Sequence, residues 1–212
     1  MSFLVVFDLD NTLVHSQIDF PAMRAAVISL LRERDLNGAS DDELRRLSVG
    51  EIIALGAGQS AEFETQAWQR VLEFEREGML KATVESDAAD TLGVLQSAQF
   101  HLAILTNNAR QATRDALEKF ALDSYFDLIL TRDEVAMKPR PDGLLQAQEI
   151  LEVERIVLVG DSWLDGAAAN RAGVPFLAFR PAPGAFTHHK VDVWQTAQNL
   201  CEVPEILNVV GD

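Results

Sequence analysis

Two aspartates set two apart, Asp8 and Asp10, close an apolar run, Phe3-Leu4-Val5-Val6-Phe7. The run is short and rich in β-branched and aromatic residues, which reads as a strand buried on both faces. Polar residues directly after such a strand, here Asp8-Leu9-Asp10-Asn11-Thr12, stand at its carboxyl end, where open α/β sheets bind ligands. Carboxylates held this close repel each other unless a cation or a proton intervenes, so the pair implies a metal, a shared proton, or both. A second acidic pair, Asp161 and Asp165, follows the apolar run and glycine bend Val157-Leu158-Val159-Gly160. Hard oxygen donors of this kind suit a cation of the Mg2+ type, which keeps several waters.

The elements that must position these residues show in the periodicity. Phe20, Met23, Val27, Leu30 and Leu31 recur at helical spacing after an Asp19 cap and Pro21, and Asn37-Gly38 breaks that helix. Asp41 opens another helix, and 48–55 forms a short one that ends at Gly56-Ala57-Gly58. Ser60 caps a long helix carrying Phe63, Ala67, Trp68, Val71, Leu72 and Phe74, with Gly78 as its expected end. No strand signal separates His15 from about Val84, so this stretch reads as an all-helical insertion. From Ser86 onward helices at 87–98, 109–120, 141–151 and 164–172 alternate with strands at 100–105, 126–130, 156–159 and 175–179. Repeated strand–helix units imply a parallel sheet covered on both faces, and the first strand most simply joins it.

Asp8-Leu9-Asp10-Asn11-Thr12 resembles the D-x-D-x-T signature of the haloacid-dehalogenase-like (HAD) superfamily, whose phosphatases use the first Asp as nucleophile. Three further segments resemble its other motifs in family order. Thr106-Asn107-Asn108 follows the strand Ile104-Leu105, Lys138-Pro139-Arg140-Pro141 matches Lys-Pro-x-Pro, and Gly160-Asp161-Ser162-Trp163-Leu164-Asp165 matches G-D-S-x-x-D. The resemblance implies a Rossmann-like parallel sheet flanked by helices, with a C1-type helical cap after the first strand. The expected division is a core of 1–14 and 86–212 and a cap of 15–85. It also implies roles. Asp8 is the nucleophile and Asp10 the acid and base. Thr106 and Lys138 bind phosphoryl oxygens, with Asn107 and His15 as further substrate contacts. Mg2+ is held by Asp8, Asp161 and the carbonyl of Asp10, with Asp165 in support. Asp10 favours a phosphatase over a dehalogenase, because a halide leaving group needs no proton.

The implied activity is hydrolysis of a small phosphorylated metabolite, as in phosphoglycolate phosphatases. A phosphomutase of the β-phosphoglucomutase kind and a non-catalytic binding protein on the same scaffold are the alternatives. The formal net charge of −15 argues against nucleic acid and anionic membrane surfaces as partners, since both demand clustered Lys and Arg. Cys201 is the one cysteine, which excludes an intrachain disulfide and reads as a small packing residue. A leader and a membrane-length apolar stretch are both missing from the pattern, so the expected location is cytoplasmic. Within the cap, residues 48–69 hold no Lys or Arg but do hold Glu51, Glu62 and Glu64, a poor match for a second anionic group. Arg24, Arg45 and Arg46 are possible exceptions. Gln17 joins His15, just beyond the first motif, as a pocket candidate, with a hydrogen-bonded structural role for His15 equally open, whereas His188 and His189 read as exposed.

Overall fold

The apolar run at the amino terminus is the centre of the sheet. In the computed structural model, which describes residues 2–36 and 39–207, β1 (Phe3–Phe7) pairs in parallel with one strand on each side. The chain then makes β2 (Val14–His15) and enters four helices: α1 (Phe20–Glu33), α2 (Asp41–Leu44), α3 (Val49–Ala57) and α4 (Ala61–Leu80). It returns through β3 (Thr83–Val84) to α5 (Ala88–Ser97), β4 (His101–Leu105), α6 (Arg110–Lys119), β5 (Leu128–Leu130) and α7 (Asp142–Ile150). Finally come β6 (Arg155–Gly160), α8 (Trp163–Ala172), β7 (Phe176–Phe179), β8 (Gln195–Ala197) and α9 (Glu202–Ile206). The sheet order is β5-β4-β1-β6-β7-β8, every pair parallel.

That order places a switch in winding direction between β1 and β6, which opens a crevice at their carboxyl ends. Both faces of the sheet are buried, as an unbroken apolar pattern demands. Leu4, Val6, Ala103, Leu105, Leu158, Phe176 and Ala178 share one core cluster with Leu144 and Ala147 of α7 and Ala168 and Ala169 of α8. The alternating residues Val5, Phe7, Leu102, Ile104, Val157, Val159, Leu177 and Phe179 are buried as well. Small side chains on α8 let it lie close to the sheet, and Gly173, at φ 70°, ends it in the left-handed conformation.

The chain divides into one unit of residues 17–81 and another made of the rest. Both boundaries lie inside the expected 15–85. The reason is the antiparallel pairing of β2 with β3, Val14 to Val84 and His15 to Thr83, and the bond from Glu85 N–H to Leu13 O at 2.9 Å. These contacts keep both connecting segments with the sheet-bearing unit. Two-residue strands leave no periodic signal, so neither was expected. The edge strand β8 was missed too, since only Ala197 of Gln195-Thr196-Ala197 is buried.

Within the helical unit, α1, α3 and α4 pack together. Asp19, Ser40, Ser48 and Ser60 each accept a first-turn N–H, and Ser40 and Ser48 complete capping boxes with Glu43 and Glu51. Asn37-Gly38, the expected break after α1, lies outside the described residues. Phe20, assigned to the apolar face of α1, is 42% exposed, and that face is carried by Met23, Val27 and Leu31. Gly78 does not end α4, which runs on to Leu80. It is small because a β-carbon there would lie 2.6 Å from both the Cα and the N of Ile18. Cys201 is exposed at the start of α9 instead of packed, its N–H bonded to Asp87. Among the described residues no helix is long and apolar enough to cross a membrane.

Gly78 offers a test of this packing. A helix-interior Gly→Ala change ordinarily stabilises by about 1 kcal/mol. Gly78→Ala is expected to do the reverse, destabilising by about 1–3 kcal/mol through overpacking against a backbone that cannot swing away. Urea denaturation midpoints read the sign.

Candidate active site

Three strand ends and one loop meet at the carboxyl edge of the sheet. Asp8 follows β1, Thr106 follows β4, Asp161 follows β6, and Lys138 arrives on the segment between β5 and α7. Lys138 is the hub. Its Nζ donates to Asp8 Oδ1 and to Asp165 Oδ1, each at 2.5 Å. All three side chains are buried: Asp8 is 6% exposed, Lys138 4% and Asp165 0%. Asn107 holds the lysine backbone at both ends, accepting from Lys138 N–H at 2.8 Å and donating to Lys138 O at 2.9 Å.

Asp165 enters this cluster because of how α8 begins. Ser162 caps the helix and Asp165 answers it, its Oδ2 accepting from Ser162 N–H at 3.0 Å and from Ser162 Oγ at 2.5 Å. The close approach demands Gly160, where a β-carbon would lie 2.6 Å from Asp165 Cγ. Thr106 is 2% exposed, and its Oγ1 accepts from Asn108 N–H at 3.2 Å. Asp10 stands on the turn beyond Asp8, its Oδ2 bonded by Asn108 Nδ2. Asp10 Oδ1 is buried and has no hydrogen-bond partner among the described residues.

The site is over-supplied with negative charge, four carboxylates facing one ammonium. Burial raises the Asp8 carboxyl well above the usual range; Lys138 opposes this, and Asp165, Asp161 and Asp10 add to it. Burial likewise raises Asp10, against the nearby polar side chains of Ser16 and Asn108. Asp161 is pushed up to about 7, by burial first and then by Asp165. Burial acts against the charge on Lys138, but Asp165 and Asp8 outweigh it and hold the ammonium protonated.

Such a surplus is what a divalent cation would neutralise. Oxygens of Asp8, Asp161 and Asp165 lie within 4.8 Å of one another, an all-carboxylate set that fits a hard divalent ion. Both Asp165 oxygens are already bonded, to Lys138 and to Ser162, so Asp8 and Asp161 are the better placed direct ligands.

Of the expected site residues, Asp8, Asp10, Lys138, Asp161 and Asp165 gather here with Thr106 beside them. Two have other uses. The Asn107 side chain holds the Lys138 backbone, and His15 contacts Glu85, 4% exposed, and lies 3.3 Å from Arg180 Nη1. Asn108, which bonds Asp10, was missed by sequence reasoning; its signal was an Asn doublet just past a strand end. His188 and His189 are exposed as expected, with the His189 ring stacked on Trp163 at 3.9 Å.

The fold is an α/β sheet with a carboxylate-rich site at its strand ends, and the chain belongs to the haloacid dehalogenase-like hydrolase family, whose model matches residues 5–179. More particularly, it resembles phosphoglycolate phosphatases. It is 32% identical over 206 residues to a phosphoglycolate phosphatase of Cereibacter sphaeroides, covering 87% of this chain and 93% of that one. Among solved structures it resembles a HAD phosphatase from Thermococcus onnurineus (TM-score 0.65, 26% identity, 98% of each chain covered). The fold also matches a Haemophilus somnus protein described as a predicted phosphoglycolate phosphatase (TM-score 0.67, 21% identity, 96% of this chain and 97% of that one).

Two outcomes are expected. Lys138→Met leaves two buried carboxylates without their cation and is expected to cost about 3–5 kcal/mol in urea denaturation at neutral pH, less in acid where the carboxyls take up protons. Asp161 titrates higher folded (about 7) than its ordinary value of 3.8, so its contribution is complete below that value and is lost as pH rises through about 7. With chelator present, Asp161→Asn is therefore expected to gain on the wild type steadily as pH rises across that window, read as thermal midpoints. Excess Mg2+ should raise the wild-type midpoint most at the alkaline end.

Proposed function

We propose that the protein is a Mg2+-dependent phosphatase that hydrolyses a small phosphomonoester through an aspartyl-phosphate on Asp8, with phosphoglycolate as the first substrate to try. The observation that carries the reading is the Lys138 ammonium wedged between Asp8 and Asp165, with Asp10 one turn away. A phosphate dianion is repelled by a carboxylate nucleophile, so catalysis depends on neutralisation and alignment. Lys138 supplies a buried positive charge beside Asp8. Thr106, at the neighbouring strand end, offers its hydroxyl to a phosphoryl oxygen. Mg2+, held by Asp8, Asp161 and the carbonyl of Asp10 with Asp165 behind them, would supply Lewis-acid polarisation of the phosphoryl group.

An Asp8 oxygen attacks phosphorus while the bond to the ester oxygen breaks, and Asp10, protonated at the start, gives its proton to the departing alkoxide. Asp10, now a carboxylate, takes a proton from a water that attacks the same phosphorus. The bond to Asp8 breaks, and inorganic phosphate leaves. The raised pKa of Asp10 lies in the direction the first role requires, while Lys138 and a bound cation would keep Asp8 a carboxylate for attack. Asn108, bonded to Oδ2, leaves Oδ1 to carry the moving proton. The similarity to phosphoglycolate phosphatases supports a small anionic alkyl phosphate as substrate.

Phosphate release from a panel of phosphorylated metabolites, phosphoglycolate included, tests this with and without Mg2+. Asp8→Asn is expected to lose at least about a thousandfold in kcat, as removal of an essential nucleophile does. Chelation should abolish turnover and Mg2+ restore it. Turnover that survives Asp8→Asn would overturn the proposal.

A further inference from the structure

Arg180 organises a cluster away from the reacting atoms. It follows β7 with φ at 43°, a left-handed conformation that a side chain disfavours and that persists only where the surroundings enforce it. Its N–H donates to Ala197 O and its Nε to Gln198 O, each at 2.8 Å, so the backbone is anchored on β8 and the guanidinium on the residue after it. The outer face of the fork grips Glu85, Nη1 to Oε1 at 2.5 Å and Nη2 to Oε2 at 3.0 Å. Bidentate pairs of this kind fix geometry as well as charge. Glu85 Oε1 also contacts His15 Nε2. The clasp thus takes in the last residue of β2 and the residue after β3.

The backbone continues the path to the catalytic turn. Glu85 N–H donates to Leu13 O, Leu13 and Val14 N–H both donate to Leu9 O at 3.0 Å, and Asn11 N–H donates to Val14 O at 2.6 Å. Asp10 itself is bridged to Val14. We infer that Arg180 is a positioning residue for Asp10: by clasping Glu85 it pins the β2–β3 ribbon, and through Leu13 it fixes the turn on which the acid stands. The reason is electrostatic. Glu85 is buried, and without Arg180 the charged partner left beside its carboxylate among the described residues is His15, so the ribbon must shift to rehydrate the charge. A half-exposed arginine with no such duty would be near-silent when replaced.

The catalytic part of this inference rests on the role proposed for Asp10, so the test has two readouts. Full-length Arg180→Gln and Arg180→Lys are compared with wild type by hydrogen–deuterium exchange, following residues 9–15 and 83–86 against β4. In parallel, with Mg2+ bound, kcat/KM is measured for p-nitrophenyl phosphate and for the alkyl phosphate the enzyme turns over best. Arg180→Gln is expected to exchange faster in the turn and ribbon with β4 unchanged. It should lose about tenfold more kcat/KM on the alkyl ester than on the aryl one, because nitrophenolate departs without a donated proton. Arg180→Lys should recover part of both effects, and it carries the same readouts if the Gln variant does not fold. Unchanged exchange at 9–15, or equal losses on both esters, overturns the inference. A wild type inert on every ester sinks the phosphatase proposal instead, and exchange at 9–15 then decides for or against the clasp.

Discussion

One buried ammonium between two buried carboxylates sets the terms for the sheet-bearing unit. Lys138 touches Asp8 after β1 and Asp165 on α8, so a single cation ties two elements together at the end of the sheet where winding reverses. Removing such charges from water costs several kcal/mol each, and the cost is met only where geometry is tight and the remaining lone pairs are satisfied. Asn107 on the lysine backbone and Ser162 on Asp165 provide that geometry. Even so the balance is incomplete. Burial first, and neighbouring acids after it, raise the pKa values of Asp8 and Asp161, a surplus of carboxylate that a divalent ion would relieve.

The same economy of parts explains the glycine and serine around the second acidic pair. Asp165 completes the capping box of α8 and faces Lys138 with its other oxygen, so helix nucleation and charge pairing use one side chain. That double use is possible because Gly160 leaves the strand end open. A larger residue there would push Asp165 off the lysine and the cap together.

Much of this was legible in the sequence because strand ends in a parallel sheet are marked by an abrupt change from apolar to polar. Asp8, Thr106 and Asp161 each stand at such a change, and Lys138 before Pro139 has its own signature. What stayed hidden has a common cause. Where burial does not repeat along the chain, composition carries no period. β2, β3 and β8 are two or three residues long, and Arg180 and Glu85 meet across 95 positions with no pattern to announce it. Gly78 misled because its usual meaning, a helix end, was overridden by a tertiary contact with Ile18. His15 differs again: its contact with the buried Glu85 crosses 70 positions and leaves no pattern in the sequence.

Charge on the larger scale bears on how the proposed reaction selects its substrate. A chain of net charge −15 repels anions at long range, so steering cannot gather a phosphate ester from solution. At physiological salt the Debye length is about 8 Å, which confines the repulsion to the last few water layers. In the proposed reaction recognition would come from contacts at the strand ends, where Lys138 and a divalent cation would act in a low dielectric and be hardly screened. Those groups read the phosphoryl end, which every phosphate ester shares. Discrimination between esters would be left to side chains that meet the leaving alcohol, and the acid proposed to reach its oxygen is Asp10. An enzyme arranged in this way gains specificity from the placing of one proton donor as much as from binding, which is why the rigidity of the turn beneath Asp10 matters beyond its stability.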